Sequence, residues 1–128
     1  MDFQIKLFNW QDDGNHLIFL TRGSISAAAF RQLFDEIEKA TLGLQECKVL
    51  VDLSDSTYQI DPTEIEELAA ATQVTRWPRT NRIAMVSTLE IAGYHRLYFL
   101  RTELAARGLA VEIFRHSRVA IDWLAVPG

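Results

Sequence analysis

Cys47-Lys-Val-Leu-Val-Asp-Leu53, Ser54-Asp-Ser-Thr-Tyr-Gln-Ile60 and Asp61-Pro-Thr-Glu-Ile65 follow one another without a break. The stretch from Lys48 to Leu53 is nearly continuously apolar, as expected of a strand covered on both faces. The second piece is rich in hydroxyl side chains that satisfy loop backbone groups, and it reads as a loop. The third is a helix start: Asp61 stands at the N-cap, Pro62 at the first helical position, and Glu64 can reach back to the cap. Ile65, Leu68, Ala69 and Thr72 continue at helical spacing. A strand, a polar loop and a capped helix in this order make the repeating unit of an α/β domain, and a site is expected in the loop.

The flanking sequence repeats the unit. Phe3, Ile5 and Leu7 alternate with polar residues, Asp12-Asp13-Gly14-Asn15 signals a turn, and His16–Thr21 reads as a second strand, which predicts an opening hairpin. Ser26 is placed to cap a helix in which Phe30, Leu33, Phe34 and Ile37 share a face, with Gly43 as its stop. The helix after Asp61 is expected to end near Trp77-Pro78. Arg82–Ser87 reads as a buried strand, and Ser87 with Glu90 makes a second capping box. A long helix follows, with Gly93, Leu97, Leu100 and Leu104 on one face and Gly108 at its end; Val111–Phe114 is a last strand. Ser117 is expected to cap a final helix carrying Ala120, Trp123 and Leu124. The order β-β-α-β-α-β-α-β-α predicts an α/β fold with a mainly parallel central sheet, in which the strands around 48, 82 and 111 are neighbours.

The bulk properties narrow the class. A chain of 128 residues fits a single domain spanning 1–128, and 48% hydrophobic residues are enough for a folded core. The net charge of −4 argues against non-specific binding to nucleic acid. No apolar run approaches the roughly 18 residues that a membrane span needs. Met1-Asp-Phe-Gln-Ile-Lys6 holds no basic region followed by an apolar one, so no signal peptide and a cytoplasmic location are expected. Cys47, the single cysteine, has no disulfide partner in the chain and reads as a buried, inert thiol.

Gly23-Ser-Ile-Ser26 before a helix with Phe30, then Lys48–Leu53, Arg82-Ile-Ala-Met-Val-Ser87, Val111-Glu-Ile-Phe114 and Ala120-Ile-Asp-Trp-Leu124 resemble, as an ordered set, the STAS domain superfamily. The closer match is its SpoIIAA-like branch, the anti-sigma-factor-antagonist fold, and it covers nearly the whole chain. The resemblance implies a regulatory domain that works by binding a protein partner. In such antagonists an Asp-Ser-Ser/Thr-Gly motif at this helix start is phosphorylated on its first hydroxyl residue. Here the matching stretch is Asp61-Pro62-Thr63-Glu64, so proline stands at the phosphoacceptor position and glutamate replaces the glycine. Thr63 is a neighbouring hydroxyl, but a phosphate there would meet Glu64, Glu66 and Glu67, offset in part by the helix N-terminus. The branch is also similar in fold to CRAL-TRIO lipid-exchange domains, which implies a ligand-carrying alternative.

No catalytic constellation is visible. Asp52-Leu-Ser-Asp-Ser56 matches the D-x-S-x-S pattern of metal-dependent adhesion sites, but that fold needs more chain after Ser56 than is present, so no metal and no cofactor are expected. His16, His95 and His116 lie in different elements with no evident nucleophile beside them. The expected activity is therefore non-enzymatic. The candidate partner-binding or regulatory surface comprises Ser54, Asp55, Ser56, Thr57, Tyr58, Asp61 and Thr63. Arg76, Arg79 and Arg82 form the one basic cluster and are a candidate anion site. Tyr94, Tyr98 and Phe99 widen the apolar surface of the long helix and are a candidate homodimer interface. The expected partner is a protein or a second copy of the chain, with no nucleic acid and no membrane insertion. The alternative is a carrier or sensor of a small apolar or lipid-like ligand; a second is a hydrolase or metal-dependent enzyme using the Asp52–Asp61 loop.

Overall fold

The apolar run after Cys47 becomes the middle strand of a five-stranded sheet. The fold is that of a computed structural model, described over residues 4–9, 16–42, 46–71, 82–88 and 91–126. Strand β1 (Gln4–Asn9) runs antiparallel to β2 (His16–Ser26), as expected of an opening hairpin. Strands β2, β3 (Lys48–Gln59), β4 (Arg82–Val86) and β5 (Ala110–Phe114) are parallel and lie side by side in chain order. Each is joined to the next by a helix: α1 (Ala27–Thr41), α2 (Pro62–Ala71) and α3 (Ile91–Ala106). Three right-handed crossovers that all step in the same direction must lay their helices on the same face of the sheet. The last helix, α4 (Ser117–Ala125), follows β5 and packs on the other face.

The core divides accordingly. Phe30, Leu33 and Ile37 of α1, Ile65 and Leu68 of α2, and Leu97, Leu100 and Leu104 of α3 bury Phe19, Val49, Val51, Leu53, Ile83, Met85, Val111 and Ile113. On the opposite face Ala120 and Leu124 of α4 cover Leu50, Ala84 and Val86. Covering on both faces explains why β3 and β4 read as apolar runs rather than alternations. Cys47 is fully buried at the foot of β3.

The helix ends follow from local chemistry. Ser26 Oγ accepts from the N–H of Ala29 at 3.2 Å, capping α1. At the end of α3, Gly108 takes φ +95°, a left-handed conformation open to glycine, and its N–H donates to Ala105 O at 3.0 Å. Two sequence expectations are corrected here. Ser117 does not cap α4; it is the first helical residue, and His116 occupies the cap without a side-chain hydrogen bond. The segment from Ser54 onward is not a loop, because β3 continues to Gln59 and pairs with Arg22–Ser26 of an equally lengthened β2. The expectations for Gly43, the turn at 12–15, the helix end near Trp77-Pro78 and the cap partner Glu90 lie outside the described residues.

Candidate functional site

A β-bulge builds the site. Leu20 is opposite Asp52 and Arg22 is opposite Asp55, so β3 inserts one residue more than β2 over this step. The bulge is held by three hydrogen bonds. The Asp52 carboxylate accepts from the N–H of Ser54 at 2.9 Å. The Thr21 hydroxyl donates to the Asp52 carbonyl at 3.1 Å and lies 2.8 Å from Ser56 Oγ. Thr21 and Ser56 are both buried, so each hydroxyl satisfies the other where no solvent reaches. Beyond the bulge Gly23 takes φ +99°, which a side chain would resist.

The bulge also sets which side chains face out. Paired residues of adjacent strands share a face of the sheet. Past the bulge Ser56 points into the core with Ile25, while Arg22, Ser24, Asp55 and Thr57 are exposed on the face that carries α4. Gln4, Lys6, Leu20, Thr21, Arg22 and Asp55 line a shallow depression of about 200 Å³. Ser54 is half-buried. The backbone of Tyr58 pairs with Ile25, and its side chain lies outside what is described.

The start of α2 is fixed by a reciprocal capping box. Asp61 Oδ1 accepts from the N–H of Glu64 at 2.8 Å, and Glu64 Oε1 accepts from the N–H of Asp61 at 3.1 Å. Asp61, Pro62 and Thr63 are exposed there. Asp61→Ala should cost about 0.5–2 kcal/mol of stability; an unchanged denaturant midpoint would mean that the cap contributes nothing.

The expected residues therefore separate by role. Asp55, Thr57, Asp61 and Thr63 present side chains to solvent, whereas Ser56 is internal and Asp52 is engaged with backbone. Arg22 and Ser24 were missed by the sequence reading, although the alternation of β2 carries past Thr21 to Ile25 and points both outward.

The other candidates lie elsewhere. Arg82 starts β4 beside Lys48, at the far end of the strands from Asp55. Its guanidinium donates to the Trp123 carbonyl at 3.1 Å and to the Val126 carbonyl, and sits 5.5 Å from the Trp123 ring centroid. It thus secures the C-terminal end of α4. Arg76 and Arg79 lie outside the described residues. On α3, Tyr94 and Phe99 are half-buried against the core, while Tyr98 is 47% exposed. Arg115 stands over the Tyr94 ring at 4.5 Å and Arg101 over the Tyr98 ring at 5.6 Å. Arg101 also pairs with Glu112 at 3.1 Å. No helix among the described residues is long and apolar enough to cross a membrane.

Neither a protein-family model nor a curated protein sequence matches the chain. Solved structures do. An uncharacterised protein of the DUF3478 family from Shewanella loihica PV-4, with a SpoIIAA-like fold, aligns over 98% of this chain and 96% of its own. The identity is 19% and the TM-score 0.60. The anti-sigma factor antagonist SpoIIAA in its unphosphorylated form aligns over 95% of this chain and 96% of its own, at 12% identity and a TM-score of 0.52. Sheet order, helix placement and these alignments agree: the chain is an α/β domain with a SpoIIAA-like fold.

Proposed function

We propose that the domain is a non-enzymatic regulatory module that binds a protein partner through the Asp55/Thr57 face and the start of α2. The observation that carries this reading is the outward row of Arg22, Ser24, Asp55 and Thr57, on a stretch of sheet beyond the reach of α4 and next to the exposed turn Asp61–Thr63. Paired strands and a capping box hold these donors and acceptors in place, so little ordering entropy opposes binding. The acids nearby serve structure: Asp52 and Asp61 both accept from backbone N–H groups. That supports binding over acid–base chemistry at this surface. The SpoIIAA-like fold adds the precedent of an anti-sigma factor antagonist.

Partner control in this reading does not run through residue 62, because proline offers no hydroxyl. The test is affinity capture from the source cells with in-cell cross-linking, followed by binding titration of the captured protein. Cross-links should map to 22–24 and 55–63, and Asp55→Arg combined with Thr57→Arg should weaken binding at least tenfold with the thermal midpoint retained. A partner held equally by this variant would sink the reading. Stoichiometric phosphate on Thr63 whose loss in Thr63→Ala also abolishes binding would instead restore a phosphorylation switch one residue along.

A further inference from the structure

We propose that two copies of the chain associate through the free edge of β1, antiparallel and in a register centred on Leu7. Among the described residues, strand β1 is the outer strand of the sheet and pairs only with β2. Its other edge offers backbone N–H and C=O groups to a further strand. Its apolar side chains are also uncovered on both faces at one place. Leu7 is opposite Phe19 on the face of α1–α3 and is 48% exposed; Phe8 is opposite Ile18 on the face of α4 and is 49% exposed. A helix or loop docked on either face would cover one of them and leave the other wet. An added strand, flush with the sheet, covers both.

The sequence of β1 fits a copy of itself. A two-fold axis normal to the sheet keeps the faces aligned, so residues opposite one another share parity. Centred on Leu7, the pairing sets Leu7 against its own copy on one face. On the other it sets each Phe8 against the partner copy's equivalent of Lys6, whose apolar stem lies along the ring and whose ammonium meets the ring face. Centred on Lys6, the pairing would instead bring two ammonium groups together. Leu20, 37% exposed and beside Lys6, extends the contact inward. The long helix offers less: of its three candidate rings only Tyr98 is left exposed. This inference names the surface for self-association and stands apart from partner binding at 55–63, which the capture experiment tests separately.

A short strand edge makes a small interface, so the dimer should dissociate in the micromolar range. Analytical ultracentrifugation of the full chain from about 1 to 200 µM should show a monomer–dimer equilibrium. Leu7→Lys, which opposes two charges on the axis, should raise the dissociation constant more than tenfold while the circular dichroism spectrum is unchanged. In a second variant, Leu7→Cys, the two Cα atoms should lie within disulfide range. Because Cys47 is buried, the parent chain supplies no competing thiol at the surface. Leu7→Cys should therefore cross-link under mild oxidation faster than Tyr98→Cys. A monomer at every concentration, a dimer indifferent to Leu7→Lys, or faster cross-linking at Tyr98→Cys would each overturn the proposal.

Discussion

Leu124→Ala should destabilise the domain by about 2–5 kcal/mol, the range for deleting a buried leucine side chain. For a chain of this size that corresponds to a fall of roughly 8–20 °C in the thermal midpoint. The effect is large because α4 rests on very little. Its buried residues are Ala120 and Leu124, which pack on Leu50, Ala84 and Val86 with the partly buried Ile18, Phe114 and Trp123 at the margin. Ala120 has almost no side chain to compensate. Trp123 helps from the flank, 5.6 Å from the Phe114 ring, and Arg82 ties down the carbonyls at the helix end. Neither fills the space that Leu124 leaves. The three helices of the other face share a much larger core, so local undocking of α4 is the expected first step of failure. Thermal denaturation with hydrogen exchange of the 117–125 amides checks this. A loss below about 1 kcal/mol, or exchange in α4 no faster than in α3, would show that the helix is held by something other than Leu124.

The reach of the sequence is clearest where one physical signal acts alone. Lys48 to Leu53 reads as a doubly covered strand and Asp61-Pro-Thr-Glu64 as a helix start; both are found. The parallel neighbours around 48, 82 and 111 follow from the same reasoning. The reading failed where two signals competed. Ser54, Asp55 and Ser56 favour turns when judged singly, yet Thr57 and Tyr58 are good strand formers. The bulge hid the strand further, because the inward residues are Leu53 and then Ser56, which breaks the period of two. An inward serine is also invisible to a hydrophobic pattern. Its burial is explained only by Thr21, more than thirty residues earlier in the chain.

Ser117 illustrates the opposite error. A serine ahead of an amphipathic stretch is a sound cap signal, yet the extended residue here is His116, and the helix has already begun at Ser117. One residue decides the matter: the carbonyl of extended His116 accepts from the N–H of Ala120, so the helix is already under way at Ser117. On α3 the aromatic side chains spread around the helix as read, but Tyr94 and Phe99, two of the three candidate interface residues, are half-buried against the core. Of the surface proposed for partner binding, Asp55, Thr57, Asp61 and Thr63 were legible in the sequence, whereas Arg22 and Ser24 required knowing that β2 outlasts Thr21.

Thr21→Val should cost about 1–3 kcal/mol, although it conserves shape and removes only a hydroxyl. In the native protein that hydroxyl donates to the Asp52 carbonyl and meets Ser56 Oγ at 2.8 Å. Valine would leave the hydroxyl of Ser56, a residue 2% exposed, with its neighbour gone, and would remove the side-chain bond from β2 to the Asp52 carbonyl at the bulge. The cost of an orphaned buried polar group, not the worth of a hydrogen bond, sets the size of the effect. A double-mutant cycle separates the two. Adding Ser56→Ala removes the orphan, so the pair should be less destabilised than the sum of the single changes, with a coupling of about 0.5–1.5 kcal/mol. The same bulge turns Asp55 and Thr57 outward, so the proposed partner binding should weaken in Thr21→Val together with protection of the Ser54 and Ser56 amides. Equilibrium denaturation of the four proteins gives the energies, and native-state exchange gives the local opening. Strict additivity, or a Thr21→Val protein within about 0.5 kcal/mol of the parent, would show that the buried hydroxyl pair does not hold the bulge, and that the outward face of 55–57 is maintained by strand pairing alone.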